Sequence, residues 1–158
     1  DVGLAAPHLL PPSTPPAQVA AWMQEYEQAV QDRCPAMGSR HLALTLLALS
    51  RVHAATGHMP SKDTLRIWVR CSAAAAASFT LQDFAQSMSA ITALKVMPPG
   101  EWVQAMLGHV RRDLGQAWMG TLAVVIWAVA RIRFQPGWQW MLCYFECTQA
   151  KLAAVGSQ

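Results

Sequence analysis

The sequence predicts an all-α protein, an α-solenoid of helical hairpins with a 38-residue period. Two observations lead to this prediction. Three dipeptides that end in proline recur at a constant step along the chain: Met59-Pro60, Met97-Pro98 and Gln135-Pro136. Apolar residues with helical spacing follow each of them. A fixed period of this size is typical of repeat arrays, in which each unit stacks on its neighbours. Function is therefore sought on a built-up surface rather than in a single pocket.

The first helix of each unit is predicted directly after its proline. Apolar side chains stand at i, i+3 and i+4 in three successive segments: 65, 68 and 69; 103, 106 and 107; 141, 144 and 145. That spacing fits an amphipathic helix and not a strand. Proline suits the start of a helix, where its missing N–H is harmless. An earlier unit begins near Trp22, which occupies the repeat position of Thr64 in the next unit. The two residues are 42 positions apart rather than 38. This spacing predicts an insertion of four residues in the loop after Val52.

A second helix is predicted in each of the first three units. Its apolar stripes are Leu42, Leu46, Leu49 and Val52; Phe84, Met88 and Ile91; and Leu122, Ile126 and Val129. Thr80 followed by Asp83 predicts the N-cap of the middle one. The domain organisation predicted is a Pro-rich arm or linker over residues 1–19 and a helical-repeat domain over residues 20–158. Its units lie at about 20–58, 59–96 and 97–134, with a partial unit at 135–158.

Composition restricts the classes of function. Hydrophobic residues make up 53% of the chain and charged residues only 13%, about half of the usual ~25%. A net charge of +3 permits nucleic-acid binding without requiring it. The longest apolar run, Leu122 to Ala130, is far shorter than the ~20 residues of a membrane span, so no membrane insertion is expected. The aromatic final half-unit is no polar cap; we expect that the natural chain continues or that another molecule covers this end.

Catalytic and metal-binding motifs are absent from the sequence. It has no Gly-rich phosphate loop, no Gly-x-Ser-x-Gly and no zinc-ligand spacing. We therefore expect no enzyme activity, no cofactor and no metal. The four cysteines are expected to be buried free thiols: Cys34, Cys71, Cys143 and Cys147.

Two groups of residues are candidates for RNA contact. The first lies on the side of each first helix opposite the apolar stripe, where side chains change from unit to unit, as base-by-base reading of a single strand would require. It includes Asp63, Arg66, Arg70 and Gln104. The second consists of cations at helix ends or loops: Arg111, Arg112, Arg131 and Arg133. These cations suit phosphate contacts, but they also suit helix C-termini, and a solvated helix face varies just as freely.

Four recurring tryptophans are interpreted as packing wedges between units rather than as base-stacking platforms. Trp22, Trp102 and Trp140 occupy one repeat position and Trp127 occupies another. In the second unit, Thr64 and Ser89 replace both tryptophans.

The third unit resembles an octotricopeptide repeat. Residues 97–103, Met-Pro-Pro-Gly-Glu-Trp-Val, are similar to that family's Pro-Pro-x-x-Trp-Leu-like opening. Residues 122–131, Leu-Ala-Val-Val-Ile-Trp-Ala-Val-Ala-Arg, resemble its second helix, and the resemblance extends over roughly residues 15–147. It implies an α-solenoid that binds RNA in an organelle of a green alga.

The resemblance also implies the partners. They are RNA, either rRNA or an organellar transcript, and other proteins of a larger assembly. A mitochondrial ribosome component that holds rRNA is the favoured reading, with the chloroplast as the alternative location. The competing reading is a protein–protein scaffold of an organellar complex with no RNA contact, which the low charge and the aromatic C-terminal end favour.

Overall fold

Seven α-helices account for most of the protein in the computed structural model, which describes residues 15–156. No strand occurs within that range, and the prediction of an all-α protein is confirmed. The helices are α1 (Pro16–Arg33), α2 (Ser39–Thr56), α3 (Lys62–Ala74), α4 (Leu81–Leu94), α5 (Gly100–Val110), α6 (Met119–Arg131) and α7 (Trp138–Gly156).

The helices contact one another in two alternating series. In one, α2 packs against α4 and α4 against α6; in the other, α1 packs against α3 and α3 against α5. The even-numbered helices share the more extensive contacts. Their buried faces contain small residues, which let helix backbones approach closely: Ala43, Ala85, Ala90 and Ala128. One connected hydrophobic core runs from α1 to α7.

The predicted apolar stripes face the hydrophobic interior, where Leu49 and Val52 form a small second cluster with Met23. Every named stripe residue of α2, α4 and α6 is buried except Ile126, which is half-buried. In the odd-numbered helices, Trp68, Val103, Met106, Leu107 and Tyr144 are buried. The predicted stripe is wrong at Phe145, which is not buried: its side chain is 53% exposed. It lies on α7, which also exposes Trp138, Leu142 and Leu152.

The chain makes a similar turn, here called a corner, after each even-numbered helix. Gly57, Lys95 and Arg133 have left-handed backbone conformations, with φ values of 76°, 55° and 55°. They recur at the same step as the prolines, and a proline follows each of them three positions later. Glycine suits this conformation because a Cβ costs roughly 1–2 kcal/mol there. Two of the three corners nevertheless use a cationic residue.

The predicted cap of α4 is confirmed. Thr80 Oγ1 accepts a hydrogen bond from the Asp83 amide at 3.1 Å, and the Asp83 carboxylate accepts from the Thr80 amide at 3.3 Å. Asp113, from the turn after α5, accepts from the Leu81 amide at 3.1 Å. Three amides at this helix start, which have no partner inside the helix, are thereby satisfied.

The predicted arm over residues 1–19 extends too far. Helix α1 begins at Pro16, after Pro15 with φ −58° and ψ 140°. The density of prolines predicted an extended segment, but a proline at the first helical position is pre-organised to start a helix. The rest of the predicted arm, residues 1–14, lies outside the described residues, as do residues 157 and 158.

The tryptophans separate into buried and exposed groups. The interpretation as packing wedges is correct for Trp102 and Trp140, which are buried and donate their indole N–H to Ser72 Oγ at 2.9 Å and to the Leu107 carbonyl at 3.1 Å. It is wrong for Trp127, whose side chain is 55% exposed. Trp22 is half-buried and stacks on Tyr26 of its own helix.

Candidate nucleic-acid interface

The side of the odd-numbered helices opposite the apolar stripe, predicted to contact RNA bases, is exposed to solvent. Asp63, Arg66, Arg70 and Gln104 are all solvent-exposed. Arg66 pairs with Asp63 at 2.8 Å, with side chains 76% and 72% exposed. An ion pair this exposed contributes little to stability, so the guanidinium can exchange its carboxylate for a phosphate at small cost. Arg70 has no ion-pair partner among the described residues.

The structure brings Gln104 and Arg111 together. Both line a groove of about 120 Å³ between α5 and the start of α7. Gln139 and Trp140 form its α7 side, and Gly108 leaves its α5 side open, since a Cβ there would meet no atom within 4 Å. The groove therefore offers amide and guanidinium donors to an acceptor-rich ligand.

Arg112, predicted as an RNA contact, is already engaged within the protein. Its Nη2 donates to the carbonyls of Ala77 at 2.8 Å and Phe79 at 3.3 Å, in the turn between α3 and α4. Lys151 of α7 makes a similar contact with the turn between α5 and α6, where it donates to the Gly115 carbonyl at 2.8 Å. Each cation satisfies carbonyls of the preceding interhelical turn. The structure thus gives Arg112 a role in holding successive helix pairs together.

A third set of cations lies where even-numbered helices end. Arg131 and Arg133 are exposed at the end of α6, and Lys95 is exposed at the end of α4. None of the three has a carboxylate partner within the described part of the chain. Of the eight predicted residues, Gln104 and Arg111 share a groove, and the others are exposed on α3, after α5 and at the end of α6.

A larger groove crosses the even-numbered helices, and the sequence reasoning missed it. It has a volume of about 400 Å³. Its lining comes from α2, α4 and α6 and includes Leu47, Gln82, Gln86, Ser89, Trp118 and Thr121. A signal was present: positions 82, 86 and 89 of α4 have the helical spacing that places side chains on one face. That spacing alone does not distinguish a groove from an ordinary solvated face.

A buried polar network between α1 and α3 was also missed. Glu27, only 6% exposed, accepts hydrogen bonds from Thr64 Oγ1 at 2.6 Å and the Ser61 amide at 2.8 Å, and it lies 3.0 Å from His58 Nε2. Burial alone would raise the pKa of the Glu27 carboxyl, but the hydrogen bonds from Thr64, Ser61 and His58 outweigh it, and the pKa is lowered. The network stabilises an ionised carboxylate inside the fold.

The cysteines are free, but only Cys34 is fully buried; the other three are half-buried, which corrects the prediction of four buried thiols. Burial, together with the neighbouring Cys71 thiol, raises the pKa of Cys34 to about 12. A thiol in that environment is a poor nucleophile, because the thiolate is the reactive form. Between residues 15 and 156, no group of three His, Cys, Asp or Glu side chains could hold a metal ion. No helix in that range has the length and apolar character needed to cross a membrane.

Comparison with known families shows to which of them the chain is similar. The family model described as the N-terminal domain of the Tbc2 translation factor matches residues 11–137. The matched span contains α1 to α6 and ends at the residue before α7. No curated protein and no solved structure matches the chain significantly.

Proposed function

The chain belongs to the family of the Tbc2 translation factor N-terminal domain, and from this membership we propose that it serves organellar translation by binding RNA. The observation that carries the proposal is the family match, which spans three successive helix pairs rather than one short motif. The resemblance of residues 97–131 to an octotricopeptide repeat supports the RNA-binding part of the proposal and its organellar setting.

The architecture proposed for this function is an α-solenoid with a 38-residue period, built by residues 20–158. Two observations support it. The left-handed corners at Gly57, Lys95 and Arg133 recur with that period, and helices two apart in the chain contact one another in both series.

The proposed RNA contacts combine two kinds of group. Arg70, Arg111, Arg131 and Arg133, which have no carboxylate partner among the described residues, supply phosphate contacts. Such contacts dominate affinity for nucleic acid. Asp63, Arg66 and Gln104 supply exposed polar groups for base edges or sugar hydroxyls. Arg112 contributes less, because two backbone carbonyls already occupy its guanidinium.

We place this function in the mitochondrion, as a ribosome component that binds and stabilises rRNA, with a chloroplast transcript as the alternative target. Base-by-base reading by three and a half units would cover only about three or four bases, which favours a role inside a larger assembly. On this account the protein is a binding platform and not an enzyme.

The second candidate is a protein–protein scaffold. The exposed side chains of Trp138, Leu142, Phe145 and Leu152 on α7 favour it, because exposed apolar clusters mark interaction sites. The two candidates differ in whether RNA is contacted at all.

Crosslinking in the native source tests the proposal. The protein is crosslinked with ultraviolet light, purified under denaturing conditions, and its bound RNA is sequenced, while co-purifying proteins are identified from an uncrosslinked sample. The proposal predicts reproducible crosslinks to rRNA or to a defined organellar transcript. A stable protein complex with no crosslinked RNA above background would favour the scaffold instead.

A further inference from the structure

The groove across the even-numbered helices contains an exposed aromatic side chain that lies against the start of α6. Trp118, the N-cap residue of α6, is 79% exposed. Its ring lies over Gly120: a Cβ at position 120 would come within 2.5 Å of ring atom Cζ3 and 2.8 Å of Cε3. Only a residue without a side chain permits this approach. The ring is thus seated against the start of α6 while most of its surface is open to solvent.

Two side-chain amides in the same groove have a defined orientation. Gln82 Oε1 accepts a hydrogen bond from Thr121 Oγ1 at 3.0 Å, and Gln86 Oε1 accepts one from Arg40 Nη1 at 3.0 Å. Each amide oxygen is occupied, so each NH₂ group remains available as a donor. Neither amide nitrogen has a hydrogen-bond partner among the residues that the structure describes.

These groups specify the chemistry of a ligand. A seated, exposed indole offers a π-face for stacking, and two amide donors favour a partner whose edge carries carbonyl or ring-nitrogen acceptors. Arg40, which donates to Gln86 and is ion-paired with Asp83 at 3.4 Å, places a half-exposed guanidinium beside the groove. The volume of about 400 Å³ lies within the ~300–1,000 Å³ typical of ligand sites.

We propose that this groove binds an unpaired base of single-stranded RNA, stacked on Trp118 and hydrogen-bonded along its edge by Gln82 and Gln86. This inference rests on the proposed RNA-binding function and adds to it a base-binding site on the α2–α4–α6 surface, whose lining includes none of the eight residues predicted from the sequence. Stacking on an aromatic side chain is how proteins hold splayed-out bases, and it tolerates any base; the two amides then add preference.

The test compares two RNA strands of equal length, one with bases and one fully abasic, by fluorescence anisotropy at constant salt. Trp118→Ala should lower affinity for the strand with bases about tenfold and leave affinity for the abasic strand unchanged. Gly120→Ala should act in the same direction, because its methyl group displaces the ring. Trp118→Phe should retain most of the affinity, since a phenyl ring still stacks. Trp138→Ala removes a tryptophan that is 72% exposed on α7, outside the groove, and serves as the matched control.

The outcomes separate this inference from the function on which it rests. If the wild type binds the strand with bases and Trp118→Ala binds it equally well, the base site is wrong while RNA binding stands. That result would also follow if the groove received a protein segment. If the wild type binds neither strand, the proposed function and the base site both fail. Circular dichroism of each variant confirms that the helices are retained.

Discussion

At the scale of single residues, Glu27 and Thr64 explain why the second unit departs from the repeat pattern. Thr64 stands where Trp102 and Trp140 stand in later units, and Glu27 stands where the repeat spacing places Leu107. A tryptophan and an apolar residue are thus replaced by a pair that meets at 2.6 Å inside the protein. Either substitution alone would remove a hydrogen bond from this buried network, which is costly, whereas together the two residues supply that bond.

This pair predicts acid sensitivity. The folded-state pKa of Glu27 lies below its unfolded value, so its contribution to stability is present above the unfolded pKa of about 4.3 and is lost as the pH falls through the folded pKa. Glu27→Gln should lower the free energy of unfolding at neutral pH by about 1–3 kcal/mol and flatten its decline in acid. Urea unfolding measured from neutral pH to below pH 4 checks both effects.

Glu25→Gln is the matched control, because Glu25 is exposed on the same helix and should change little. If Glu27→Gln unfolds with the same stability and the same acid dependence as the wild type, the network has no energetic role.

At the scale of elements, the corners after the even-numbered helices combine strain with charge. Lys95 and Arg133 adopt the conformation that Gly57 adopts at the first corner. A Lys or Arg residue in the left-handed backbone conformation costs stability that a glycine would not. We infer that the positive charge at these positions has a use. Both side chains are exposed, as phosphate contacts require.

Arg133→Gly should therefore stabilise the protein and weaken its binding of RNA. The substitution relieves the Cβ clash but gives the unfolded chain more freedom, and the net gain should be up to ~1 kcal/mol. Urea unfolding measures the gain, and anisotropy with a single-stranded RNA measures the loss. Arg131→Gly provides the contrast: position 131 is the last residue of α6, so glycine there should lower stability, by at most about 1 kcal/mol, and remove the same charge. A destabilised Arg133→Gly variant, or one with undiminished RNA affinity, would contradict this explanation.

The same elements show what could be predicted from the sequence. Helix positions and the Thr80 cap followed from apolar spacing and local capping residues, both of which act within a few residues. The start of α1 was missed because prolines at 15 and 16 suit an extended arm as well as a helix start. The Glu27–Thr64 pair and the groove below Trp118 depend on residues from different helices, and neither propensity nor periodicity reports which side chains meet across that distance.

At the scale of the whole molecule, only 12 residues are Lys or Arg and the net charge is only +3. Non-specific attraction to RNA should therefore be weak, and binding should depend on a few placed contacts rather than on a general positive field. Stacking of a base on Trp118 in the groove would add a contribution to RNA affinity that salt does not weaken. The proposed platform would thus hold RNA by several modest contacts, which suits a component of a larger assembly.

The salt dependence of RNA binding tests the central proposal most directly. Affinity of the 158-residue chain for a single-stranded RNA is measured from low to physiological salt, for the wild type and for the Arg131→Ala/Arg133→Ala double variant. We expect the wild-type affinity to fall as salt rises, and the slope for the double variant to be shallower by about 1.4, since each single-strand phosphate contact contributes about 0.7. Absence of binding at low salt, or an affinity that salt does not change, would contradict the proposal that this protein acts by binding RNA.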